Sequence, residues 1–364
     1  MNRFWSDAVK RSTPYVPGEQ LNDPTIIKLN TNENPYPPSP KVKEAIYRAL
    51  ENKLNHYPTP TAENLREKIA NFYHLNKENV FIGNGSDEVL AFSFMAFFLP
   101  EKKIRFPAIS YSFYPVYCNL FHIPYQEVSL NKNFTLNQVD FFDSDGGVIL
   151  PNPNAPTSIL AELDVIKAIV ENNPNRVVII DEAYIDFAAA SAVSLIDQYE
   201  NLLVIQTMSK SRSLAGLRVG FAIGNPELIE ALQRIKNSFN SYTIDRLALA
   251  GAEAAIEDTT YFKETTNSII HTRNWMTAEL KKRGFKVLPS ATNFLFATHP
   301  SYAARSLYQQ LKIEGILVRH FNKDEITQYL RISIGTDQMM EQFLEKLDTL
   351  IAEKRPLLSR HTSL

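Results

Sequence analysis

Lys210 comes three residues after the apolar run "NLLVIQT" and stands between Ser209 and Ser211, in a stretch that reads "TMSKSRSLAGLRVG" from Thr207 to Gly220. A loop lysine is usually a solvated charge. One bracketed by apolar strands and hydroxyls is placed for enclosure, where an ammonium is costly unless it is neutralised or used covalently. Arg218 follows in the same stretch, after Ala215 and Gly216, and with the nearby hydroxyls it could close a cup around a phosphate. Asp181 ends the run "RVVIID", and a carboxylate leaving a buried strand needs a cation or several donors. In "GNGSDE", Gly83 to Glu88, two glycines and a serine open a helical pattern. Such a start offers free backbone N–H groups to an anion. The same residues also read as a plain N-cap at Ser86 with an acidic first turn. Taken together, these are a lysine able to form a Schiff base, a carboxylate able to keep a pyridine nitrogen protonated, and an anion cup. A pyridoxal phosphate enzyme needs all three.

Other chemistries lack their parts. "IIDEA" resembles the acidic strand end of a nucleotide hydrolase, but no Gly-Lys pair exists for a phosphate-binding P-loop. In "GNGSDE" the third glycine of a dinucleotide fingerprint is replaced by Glu88. The histidines show no H-x-x-x-H spacing, the single cysteine is Cys118, and there is no G-x-S-x-G elbow. No metal site is expected. A net charge of −2 provides no field for nucleic acid or an anionic membrane. The N-terminus lacks the apolar core of a signal peptide and no apolar run could span a bilayer, so a cytoplasmic protein is expected.

The elements that must hold these residues can be read from the pattern. "VFIG", "KIRF", "YQEVSL", "GGVIL", "RVVIID", "NLLVIQT" and "LRVGFAI" are short apolar runs, several of them continuous enough to be buried on both faces. Helical patterns fall between them, including "AELDVIKAIVENN". This alternation predicts an α/β fold with a mostly parallel sheet between helical layers. After about residue 255 a long helix through "TRNWMTAELKKRG" is followed by shorter strands and a closing helix from Asp337, the pattern of a smaller α+β domain. The expected division is an N-terminal arm over 1–40 packed with the small domain, a large cofactor-binding domain over 41–255, and the small domain over 256–364.

At this level the chain resembles the histidinol-phosphate aminotransferase group of fold-type-I pyridoxal phosphate aminotransferases. "KLNTNENPYPPSP", "NHYPTP", "GNGSDE", "SYSFY", "DEAYIDF", "TMSKSRSLAGLRVG" and "YLRISIGT" occur in the group's order and with similar spacing over nearly the whole chain. The resemblance implies pyridoxal 5'-phosphate as cofactor and a homodimer with shared active sites. Lys210 would carry the cofactor and shuttle protons. Asp181 would pair with the ring nitrogen, Tyr184 with the phenolic oxygen, and Tyr111 would stack on the ring. Gly85, Ser86 and Asp87 would offer helix-start groups to the phosphate, with Thr207, Ser209 and Arg218 completing the cup. Tyr57 would reach the phosphate bound by the neighbouring subunit. Arg331 would bind the carboxylate of glutamate or 2-oxoglutarate. Tyr15, Asn32 and Arg319 would line the amino-donor site, with Arg319 facing the substrate phosphate. The implied reaction passes the amino group of histidinol phosphate to 2-oxoglutarate. An aromatic or broad-specificity aminotransferase and a threonine-phosphate decarboxylase share most of these motifs and stay open.

One stretch departs from the group. "VILPNPNAPTS", Val148 to Ser158, aligns with its N-P-N-N-P-T-G pattern but has Ala155 where an amide would donate to the phenolic oxygen, and Ser158 for the closing glycine. The expectation is that Tyr184 is the principal donor, with Asn154 or water filling the gap.

Overall fold

The computed structural model describes residues 3–21, 23–51 and 53–353. The strands in chain order are β1 (Ile27–Lys28), β2 (Val80–Asn84), β3 (Ile104–Pro107), β4 (Tyr125–Val128), β5 (Val148–Pro151), β6 (Val178–Asp181) and β7 (Leu202–Thr207). They continue as β8 (Val219–Gly224), β9 (Lys286–Val287), β10 (Phe294–Thr298), β11 (Ile316–Leu317), β12 (Arg319–His320) and β13 (Leu330–Ser333).

Seven strands form the central sheet, in the order β2-β8-β7-β6-β5-β3-β4. Neighbours pair in parallel from β4 through β7, and β8 runs against both β7 and β2. The continuous apolar runs have the expected cause. Val178 and Ile180 of β6 face one hydrophobic core while Ile179 faces another, and both cores are closed by helices. The first core takes Leu65 and Ile69 from the helix Glu63–Tyr73 and Ala248 and Ala252 from the helix Arg246–Glu257. The second takes Phe92 and Phe94 from the helix Gly85–Phe97. The result is the three-layer α/β/α arrangement expected from the alternation.

A four-stranded antiparallel sheet, β12-β13-β10-β9, carries a third core with the helices Thr259–Lys282, Ala304–Ile313 and Asp337–Glu353. Helix Arg246–Glu257 packs into the large core and helix Thr259–Lys282 into the small one, so the allegiance changes at Asp258. The N-terminal arm is divided between the two. β1 pairs in parallel with β11 of the small unit. The helix Asp7–Arg11 instead rests on the large unit, where Arg11 donates to the carbonyls of Asn119 (2.8 Å) and Leu120 (3.0 Å) in the last turn of Phe113–Phe121. A cation at a helix C-terminus is favoured by the unsatisfied carbonyls and by the helix dipole there.

The antiparallel β8 matters most for function. The ends of β2, β6 and β7 lie on one edge of the sheet. Because β8 runs the other way, its beginning lies there too: Asn84 pairs with Val219 and Thr207 with Gly220. Arg218, the residue before β8, is therefore delivered beside the end of β7 and the start of the helix Gly85–Phe97. Gly220 permits this approach, since a Cβ there would stand 2.3 Å from the Ser86 nitrogen and 2.4 Å from the Gly85 carbonyl carbon. The opposing atoms are backbone and cannot swing away. Gly220→Ala is expected to destabilise the fold by roughly 1–3 kcal/mol, the range for overpacking a filled site. Urea unfolding checks this, and an unchanged midpoint would contradict the tight approach.

Candidate active site

A cavity of about 1120 Å³ opens over this sheet edge, walled by the arm, the strand ends and the small unit. Its lining includes Tyr15, Asn32, Ser86, Asp87, Tyr111, Asp181, Tyr184, Thr207, Ser209, Lys210, Arg218, Arg319 and Arg331, all singled out from the sequence. Gly85 lies directly behind the cup that this lining forms.

The cup has three parts. The helix Gly85–Phe97 starts without a side-chain cap, so its first-turn N–H groups stay available. The N-cap position belongs to Asn84 rather than Ser86, and Glu88 reaches back to the Asn84 N–H at 2.6 Å. Gly85 has φ +76°, and a Cβ there would lie 2.3 Å from an Arg218 guanidinium nitrogen, so the arginine occupies the space that a side chain would take. Arg218 is held by the Asp87 carboxylate (3.3 Å) and points a second nitrogen at Ser209 Oγ (3.4 Å), which in turn bonds Thr207 Oγ1 (3.0 Å). Asp87 thus serves the cup as a carboxylate holding its arginine. It also accepts from the Tyr111 hydroxyl at 2.8 Å. Burial and the Asp87 charge raise the Tyr111 pKa well above its ordinary value, so the hydroxyl stays protonated and donating.

Asp181 is the electrostatic centre. It is 5% exposed and has two donors, the Tyr114 hydroxyl at 2.8 Å and the Ala183 N–H at 3.3 Å. Burial raises its pKa to about 6 despite both bonds. A carboxylate so placed favours a cationic partner in the cavity. Tyr114 was not anticipated from the sequence. It stands one helical turn beyond Tyr111 in "SYSFY", and its partner becomes apparent only once the sheet order is known.

Lys210 Nζ donates to the Thr31 carbonyl at 3.2 Å and lies 5.8 Å from the centre of the Tyr184 ring. Its backbone is pinned from the arm, where Asn34 Nδ2 donates to the carbonyls of Lys210 (2.9 Å) and Ser211 (3.2 Å). At the far wall Arg331 donates to the Asn30 carbonyl (2.9 Å), and its Nε is buried with no protein partner. Arg319 hangs over the arm through long bonds to Pro17 and Val16 carbonyls, 3.3 and 3.4 Å. Tyr15 stacks on Phe113 with centroids 4.4 Å apart.

One expectation needs correction. Asn154 is buried away from the cavity. Its Nδ2 donates to the Ile109 carbonyl and to Thr157 Oγ1, both at 2.9 Å, so its donors close the loop and none is left to fill the gap at Ala155. Asn32 lines the wall, where its polar groups bond Tyr184, Ser333 and Asn293. Tyr57 lies outside its own chain's cavity, 77% exposed and stacked on Tyr242 with ring centroids 4.5 Å apart. Among the described residues no cluster suits a metal ion and no helix is long and apolar enough to cross a membrane.

The family model described as aminotransferase class I and II matches residues 24–347. The chain is 60% identical over 351 residues to histidinol-phosphate aminotransferase 1 of Oceanobacillus iheyensis, covering 96% of this chain and 99% of that protein. The crystal structure of the histidinol-phosphate aminotransferase from Clostridium acetobutylicum superposes with a TM-score of 0.83 at 26% identity, covering 90% of this chain and all of that one. The Sinorhizobium meliloti enzyme of the same name, solved in complex with pyridoxal-5'-phosphate, has the same fold, with a TM-score of 0.86 at 24% identity over 97% of this chain and 99% of that one.

The raised Asp181 carboxyl has a consequence for stability. The cofactor-free native state holds this proton more tightly than the unfolded chain, so stability falls as pH rises from about 4 to about 6. Asp181→Asn removes the buried charge and keeps an acceptor for Tyr114. In cofactor-free protein it is expected to be more stable than the parent at pH 8, by up to about 3 kcal/mol, with a smaller advantage at pH 5. Urea titrations at the two pH values measure the difference, and an advantage independent of pH would count against the assignment.

Proposed function

The chain belongs to the class I and II aminotransferase family, and from that footing we propose that it moves the amino group of histidinol phosphate to 2-oxoglutarate, giving imidazole acetol phosphate and glutamate. The observation that carries this reading is one cavity lined by Lys210, Asp181 and the Arg218 cup from the large unit and by Arg319 and Arg331 from the small one. Substrates with an anionic group at the end remote from the reacting amine or ketone fit that pairing.

The residues suit pyridoxal phosphate. The Gly85 and Gly220 contacts leave a cup of N–H groups, hydroxyls and a guanidinium for a phosphate, and the buried Asp181 awaits a protonated ring nitrogen. Bound there and carried by Lys210, the cofactor supplies an electron sink that makes the proton on the amino-bearing carbon removable.

The chain's own residues do the rest. Asp181, fixed by Tyr114, would keep a ring nitrogen protonated so that the sink stays cationic. Lys210 Nζ would take the proton from the amino-bearing carbon and deliver it to the carbon on the other side of the nitrogen, acting as general base and then acid. Asn34 keeps the lysine backbone in place during this swing. Tyr184 would donate to the phenolic oxygen. Arg331 receives the carboxylate of the oxo acid in turn with the donor, a task for which a bidentate fork is well shaped. Arg319, weakly held to two arm carbonyls, is free to exchange them for the substrate phosphate. Tyr57, exposed on its loop and clamped at its backbone by Arg246, completes the phosphate cup of a second copy, so the working unit is a homodimer. The cytoplasm is the proposed compartment.

Histidinol phosphate is expected to shift the visible band of the loaded enzyme at far lower concentration than phenylalanine does. The reverse order would replace this reading with an aromatic aminotransferase. Release of carbon dioxide from threonine phosphate would point to a decarboxylase. Lys210→Ala is expected to lose turnover by about 10³-fold or more, on the scale of removing a general base and a covalent anchor together. Turnover retained within tenfold would remove Lys210 from the mechanism.

A further inference from the structure

We infer that Asn32 is a positioning residue for Tyr184: it takes up the acceptor side of the tyrosine oxygen and thereby turns the hydroxyl proton into the cavity. The inference rests on the pyridoxal phosphate reading of the site and assigns the role of one of its walls.

Asn32 is 1% exposed and sits in the left-handed region at φ 54°. Three contacts from the small unit hold it there. Its N–H donates to Ser333 Oγ at 2.9 Å, Ser333 Oγ donates back to Asn32 Oδ1 at 3.0 Å, and Asn293 Nδ2 donates to the Asn32 carbonyl at 2.9 Å. The exchange with Ser333 also sets which end of the amide is which. In this pairing Ser333 Oγ accepts from the Asn32 N–H and donates to Oδ1, and the Nδ2 end faces the tyrosine. Nδ2 then donates to the Tyr184 hydroxyl oxygen at 2.9 Å.

A phenol has one proton to give. With an amide N–H on its oxygen, Tyr184 cannot donate toward Asn32, and among the described residues no acceptor takes its proton. The ring cannot turn away either, since it packs edge-on against Phe294 with centroids 5.1 Å apart. The remaining direction is the cavity that Tyr184 and Lys210 line together. An accepted hydrogen bond also polarises the hydroxyl, so the tyrosine donates more strongly to an anionic oxygen of the cofactor than it would alone. The lever lies in the small unit and the arm, while the tyrosine it aims belongs to the large unit.

The test uses the full-length, cofactor-loaded protein and follows the pH midpoint of its visible absorption, which rises when a donor to the anionic ring oxygen is lost. Asn32→Gly suits the left-handed backbone, keeps both main-chain contacts and removes only the amide. It is expected to raise the midpoint by about 0.5 unit, against about 1 unit for Tyr184→Phe, as for part and all of one such bond. With Tyr184→Phe already present, Asn32→Gly is expected to add nothing, because the residue acts through the tyrosine. An unmoved midpoint in Asn32→Gly, or an equal further shift in the phenylalanine background, overturns the positioning role while leaving the cofactor reading intact. Absence of any visible band that depends on Lys210 overturns both.

Discussion

The cost of burying a carboxylate at the end of β6 organises this molecule. Asp181 sits at the base of a deep cavity where water cannot solvate it, and two donors leave its charge only partly compensated. Such a group is tolerated because its environment is built to receive a cation. The sheet topology follows the same requirement. β6 lies in the middle of the order, with β5 on one side and β7 on the other, so the loops bearing Ala155 and Lys210 flank the carboxylate. The reversed β8 then brings Arg218 to the same edge, near enough to bind an anion and at a different strand end from Asp181. Positive and negative charge are separated by the strand order, which lets one ligand carry a cationic ring at one point and an anionic group at another.

The arm residues from Leu29 to Asn34 connect this base to the small unit. Leu29, Asn30 and Asn32 are bonded by Ser333, Arg331 and Asn293, whereas Thr31, Asn32 and Asn34 bond Lys210, Tyr184 and Ser211. A segment of six residues therefore ties the wall that carries Arg319 and Arg331 to the wall that carries Lys210. Displacement of the small unit would be felt directly at Tyr184 and Lys210, through hydrogen bonds rather than through loosely packed side chains. An arm of low regularity, rich in proline and asparagine, suits this task. Each asparagine offers donors and an acceptor at close range, and Asn32 adopts a left-handed turn more readily than most residues would.

Much of this was legible in the sequence, for identifiable reasons. Continuous apolar runs such as "VVII" and "LLVI" mark strands covered on both faces, and helical spacing between them marks crossovers, so the three-layer fold follows from periodicity. Lys210 and Asp181 stand out because charges next to such runs are costly without a partner. The direction of β8 was not legible, since a buried strand reads alike in either sense. Tyr114 was hidden for a related reason: its hydroxyl meets Asp181 across 67 residues of chain, and nothing local to "SYSFY" distinguishes it from core packing. Asn154 misled in the opposite way. A motif can show that an amide is present, but whether its donors are free depends on the backbone around it. In Asn154 they are spent on Ile109 and Thr157.

That distinction bears on how the site manages with Ala155. A methyl group at this position lines the cavity and can donate nothing, and the neighbouring amide is turned inward to hold its own loop. On the proposed reading, the load on the phenolic oxygen of a bound cofactor would fall on Tyr184. A single donor is adequate if its proton has one direction to go and its ring has no other rotamer to visit. Phe294 restricts the ring, and Asn32 restricts the proton. Both restraints come from outside the large unit, so the strength of the bond depends on the arm and the small unit being in place. An amide on the loop after β5 would act whatever their position, whereas a tyrosine aimed by Asn32 acts fully only when the cavity is assembled. On the proposed reading, replacing a local donor by an aimed one would make the electronic state of the cofactor sensitive to the contacts that hold Asn30 and Asn32 between Arg331 and Tyr184.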